Sequence, residues 1–154
     1  MATPQSSPFR FQRASGIGSK RFRLAFDAMR HALAADPDLE PCVYCGAPAN
    51  TIDHVPPQAA RQQLISTGLA TKYPFFTVPA CKECNSALGK RGLFTVQARR
   101  LWVKRWLRRR YYHILRIPDW TDTELAQLSP AFRGYILRGV VLREWVAARV
   151  AYRP

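Results

Sequence analysis

PCVYCGAPANTIDHVPP, residues 41–57, carries a C-x-x-C pair, then an acid and a histidine side by side, then two prolines. A second stretch, FFTVPACKECNSALGK at 75–90, holds another C-x-x-C pair with an asparagine directly after it. No secretory pattern is expected from the N-terminal stretch, which lacks an apolar segment followed by a small-residue cleavage site. Disulfides are therefore disfavoured, and Cys42, Cys45, Cys81 and Cys84 read as the four thiolate ligands of one zinc ion. A tetrahedral site filled by four sulfurs leaves no open position, so this metal is structural.

The segments around the cysteines fall into short elements. Thr51 to Val55, β-branched and bounded by Asn50 and Pro56, predicts a strand. QAARQQLIST predicts a short helix closed by Gly68, and FFTVPA a second strand. CKECNSALG predicts a short helix stopping at Gly89. The middle of the chain thus reads strand, excursion, strand, helix, with one cysteine pair before the first strand and the other opening the helix.

Further out, Ser19 to about Ala35 predicts a helix, with Phe22, Phe26, Met29 and Leu33 at helical spacing and Ser19 as cap. Residues 1–18, rich in Ser, Pro, Gly and Arg, read as a flexible basic arm. Thr95 to Ile117 predicts one long helix with Val96, Val103, Leu107, Tyr111 and Ile114 on a single face. Pro118 ends it, a short helix capped by Thr121 or Asp122 follows, and Pro130 opens a last helix to about Ala151. Phe132, Ile136, Val146 and Val150 are its apolar face. The expected organisation is an arm at 1–18, a helix at 19–40, a zinc-clamped core at 41–94 and a basic helical extension at 95–154.

Charge narrows the partner. The 154 residues carry 24 Lys and Arg against 10 Asp and Glu, a net charge of +14. No acid occurs from Ser86 through Pro118. A polyanion is the natural partner of such a surface, and nucleic acid is the simplest one. Arg99, Arg100, Lys104, Arg105, Arg108, Arg109 and Arg110 are the expected phosphate contacts. No apolar run approaches the length of a membrane span; an anionic membrane surface is the rival polyanion, and the expectation is nucleic acid rather than membrane.

The order CVYCG, IDHVPP, FFTVPACKECNSALGK resembles the HNH endonucleases of the ββα-metal class in their zinc-clamped form, including small proteins of bacterial viruses. The likeness covers about Pro41 to Lys90. It implies an α+β fold with a ββα core, and hydrolysis of phosphodiester bonds in DNA, with double-stranded DNA as partner. It assigns His54 as general base, near-neutral imidazole being suited to take a proton from water. It assigns Asp53 and Asn85 as ligands of a catalytic Mg²⁺ or Mn²⁺, which would neutralise charge on the phosphate and leaving oxygen. In a regular strand Asp53 and His54 face opposite ways. The family's strand asparagine that orients the histidine is absent, Phe76 standing in its place. Thr77, a backbone carbonyl or a glutamine from 58–63 could hold the imidazole instead, or the orienting step is lost. The alternative function is a nucleic-acid-binding or virion assembly protein that keeps the zinc-stabilised fold without catalysis. A third is an adaptor placing its basic helix on an acidic protein. The cytoplasm of a bacterium or phage-infected cell is the expected location, with the virion second.

Overall fold

The computed structural model describes residues 20–36 and 38–154. The basic arm at 1–18 and the Ser19 cap lie outside them. The fold is α+β, seven α-helices and one two-stranded sheet among the described residues. Helix α1 spans Lys20–Leu33, strand β1 Thr51–Val55, a 3₁₀ turn Gln58–Ala60 and helix α2 Arg61–Ser66. Strand β2 is Phe76–Ala80 and helix α3 Lys82–Leu88. Helices α4 (Val96–Arg110), α5 (Tyr112–Leu115), α6 (Asp122–Ala126) and α7 (Pro130–Ala151) complete the chain.

β1 and β2 pair antiparallel in unbroken register, Thr51 opposite Ala80 through Val55 opposite Phe76. With no bulge, side chains alternate strictly. Asp53 and Val55 are buried, and Ile52 and His54 point to solvent. α3 packs on β1 and α4, and α7 lies across α1, α4 and α5.

The long helix expected over 95–117 is instead two. Thr95 caps its start, its hydroxyl accepting from Ala98 N. The run ends at Tyr111, whose backbone leaves the helical region at φ −105°, ψ 19°. Beyond the break Ile114 and Ile117 join the core beside Tyr111. Most of the remaining periodicity holds, with Phe26 packed against the core and the Leu33 side chain outside the described residues. Val103 and Leu107 are buried and Val96 is partly so; Phe22, Met29, Ile136, Val146 and Val150 are buried as well. Phe132 is instead exposed at the edge of the core, its ring stacked on Tyr135. One apolar cluster runs from Phe22 and Met29 on α1, through Cys42, Tyr44 and Leu88, to Leu107 on α4 and Leu142 and Val146 on α7. Helix, cysteine region and C-terminal extension therefore share one core.

Candidate metal centre and nucleic-acid face

The first cysteine pair sits in a tight knuckle. Gly46 N donates to Cys42 O at 2.8 Å, and Cys42 N to Ala47 O at 2.7 Å. Gly46 takes φ +71°, a left-handed conformation that favours glycine. A Cβ there would also meet the Tyr152 ring at 2.5 Å. The second pair opens α3, where Cys81 is the capping residue and Asn85 N donates to Cys81 O. Val43 N donates to Pro79 O, and Lys82 N to Asn50 Oδ1, so the two pairs are locked together through the sheet.

All four cysteines are buried, and their sulfurs lie within 4.8 Å of one another. Cys45 Sγ and Cys81 Sγ are 3.8 Å apart. A tetrahedron with metal–sulfur bonds of about 2.3 Å has an edge of roughly 3.8 Å. The cluster therefore fits a four-coordinate soft metal such as zinc. Through their shared hydrogen bonds the Cys45 thiol is pushed down and the Cys84 thiol up.

Arg149, from the last turn of α7, reaches this centre. Its Nη2 lies 3.4 Å from Cys45 Sγ and 2.7 Å from Glu83 Oε2. Trp145 lies against its guanidinium at 4.4 Å. Burial works against its charge, but the Cys45 thiolate and Glu83 outweigh that and hold it protonated. Glu83, between the two cysteines of the second pair, also accepts from the Tyr111 hydroxyl and pairs with Arg110. Burial, then Glu83, pushes the Tyr111 phenol up to about 12.

Asp53 is held from inside. Arg99 Nη2 donates to its Oδ1 at 2.8 Å and Nε to its Oδ2 at 3.0 Å, while the Tyr44 hydroxyl donates to Oδ2 at 2.5 Å. Arg99 is wholly buried and its Nη1 donates to Leu93 O. Burial, then the Asp53 hydrogen bond, raises the Tyr44 phenol well above its usual range. The expectation that Arg99 contacts phosphate is thereby corrected: this guanidinium neutralises an interior carboxylate instead. In this arrangement Asp53 does not fit a divalent metal, since both its oxygens are already occupied.

His54 stands on the opposite, solvent-facing side of β1, directly across from Thr77. The Gln58 amide nitrogen lies 2.9 Å from its Nε2, Gln58 donating and the imidazole accepting. A glutamine from the 58–63 segment thus meets the imidazole where no strand asparagine is available. Asn85 Nδ2 donates to Ile52 O at 3.0 Å and to Thr51 Oγ1 at 3.2 Å, fastening α3 to the backbone of β1. Asp53 is thus separated from the other two: Asn85 holds the β1 backbone, His54 faces water and Asp53 faces the core.

On α4, Arg105, Arg108, Arg109 and Arg110 are exposed, and Lys104 and Arg100 are half-buried. Arg100 Nε donates to Val43 O. Lys104 is lowered, by burial first and then by Arg153, Arg100 and Arg108, the mark of crowded positive charge. Compared with known proteins, the chain matches no family model, no curated protein and no solved structure. Sequence reasoning missed Tyr44, Glu83 and Arg149. The one signal for Glu83 was an acid between two cysteines in an otherwise basic region; Arg149 lies 104 residues from Cys45, too far for any local pattern.

Proposed function

We propose that this protein binds nucleic acid through the phosphate backbone, using α4 as the contact element on an HNH-like, zinc-clamped ββα core. The observation that carries this is the exposed set Arg105, Arg108 and Arg109, for which no acidic partner is found among the described residues. Solvated arginines with no compensating acid repel one another and gain most from a polyanion. The expected measurement is a log–log salt slope of about 0.9 per neutralised phosphate on duplex DNA. Replacing Arg105, Arg108 and Arg109 by Ala should flatten that slope; an unchanged slope contradicts the reading.

Hydrolysis of phosphodiester bonds is the second reading, and the His54–Gln58 contact favours it. The contact restrains an exposed imidazole. As placed, the Gln58 amide nitrogen donates to Nε2 and leaves the ring proton on Nδ1; a base at Nδ1 needs the opposite amide orientation, with the Gln58 oxygen accepting from Nε2–H. This reading also needs a divalent metal, and Asp53 offers none while Arg99 holds both oxygens. Binding without cleavage is therefore the better supported of the two. If wild type cuts DNA with Mg²⁺ or Mn²⁺ and His54→Ala binds equally but does not cut, hydrolysis replaces it.

A further inference from the structure

Four side chains along one side of α4 form a ladder. The Arg91 guanidinium lies over the Trp102 ring at 4.1 Å. Trp102 and Trp106 stack at 6.4 Å with 17° between their planes. Arg110 lies over Trp106 at 5.2 Å. Arg91 is exposed, both indoles are half-buried, and the Arg110 side chain is about half exposed, although its Nε also pairs with Glu83 at 3.2 Å. Arg91 Nε is spent on Ala87 O, which fixes the plane of its guanidinium.

We infer that this Arg91–Trp102–Trp106–Arg110 ladder is a rigid phosphate clamp for duplex DNA, in which the tryptophans position the arginines rather than stack on bases. The inference rests on the nucleic-acid reading above and sharpens it. Each indole already carries a guanidinium, so a base could stack there only by displacing one. A guanidinium stacked on an aromatic ring keeps its in-plane N–H groups directed outward, and its rotamer entropy is spent before any ligand arrives. Planar forks held in place match phosphate oxygens well. A surface that reads phosphates and not bases favours the ligand of highest linear charge density. Between duplex and single-stranded DNA, the duplex, with one charge per about 1.7 Å of axis, is that ligand.

The test compares Arg91→Ala, Arg110→Ala, Trp106→Ala and Trp106→Phe in the full chain, on a duplex and on a single strand of the same sequence. Each arginine variant should lower the salt slope on duplex by about one phosphate equivalent. Trp106→Ala removes no charge, yet should weaken duplex binding about two- to five-fold, the worth of one cation–ring contact. Trp106→Phe should restore most of it, and this rescue separates positioning from lost packing. Tryptophan fluorescence should change little on binding a single strand. Tighter binding to the single strand with strong quenching, abolished by Trp106→Ala, overturns the inference in favour of base stacking. If Arg105, Arg108 and Arg109 matter but Arg91 and Arg110 do not, the ladder alone fails. If the wild type shows no salt-sensitive duplex binding, the nucleic-acid reading fails with it.

Discussion

A carboxylate taken out of water needs an answer at both of its oxygens, and Asp53 has three donors from two residues. Tyr44 comes from the first cysteine knuckle and Arg99 from α4, so one acid on β1 joins three parts of the chain. Such a pair gains little over apolar residues of the same shape, but breaking it leaves an uncompensated charge, at a cost of about 3–5 kcal/mol. Asp53→Ala and Arg99→Met should each lower stability by about that much in denaturant titrations. The double variant should cost clearly less than the sum; additive losses would show that the pair is not coupled. Nothing local in the sequence joins positions 53 and 99. Strand alternation did indicate that Asp53 and His54 face apart, while the direction in which an arginine of a basic helix points depends on where that helix docks.

Elements defined by local chemistry were the most legible. β1 was readable residue for residue because β-branched side chains run between an asparagine and a proline, and α7 because Pro130 starts it. The break at Tyr111 was not, since residues 95–117 keep one apolar face throughout; beyond it α5 packs against α7. α6 shows the local case best. Thr121 and Glu124 form a reciprocal capping box, the Glu124 carboxylate accepting from Thr121 N at 2.8 Å. The Thr121 backbone, then its hydroxyl, lowers the Glu124 pKa. A depressed carboxylate contributes its stability above the ordinary glutamate value of about 4.3 and loses it as pH falls through the lowered one. The Thr121 amide resonance should therefore shift in acid with a midpoint below that of a free glutamate. Glu124→Gln should remove the transition; a midpoint at or above the ordinary value contradicts the box.

At the scale of the molecule, the cysteine cluster is the joint on which the other parts meet. α1, α3, α4 and α7 all contribute to the cluster of buried residues around it, and Glu83 and Arg149 tie α3 to α7 at its edge. A four-thiolate zinc contributes on the order of 10–16 kcal/mol, comparable with a whole domain's stability. Purified protein should hold about one zinc per chain. A strong chelator should unfold α7 together with the sheet in a single transition. Loss of sheet signal with α7 intact would mean that the extension stands by itself. The four cysteines were visible from their spacing alone, but the closure of the centre by a helix from the far end of the sequence was not. That closure also bears on how sequences of this kind can diverge. Because the Tyr152 ring lies where a Cβ on residue 46 would sit, these two positions are not independent. Among descendants of this sequence, an aromatic residue at 152 should be inherited only alongside glycine at 46; a lineage that loses the ring first lifts the clash but not the left-handed backbone, so asparagine is the replacement it would tolerate best.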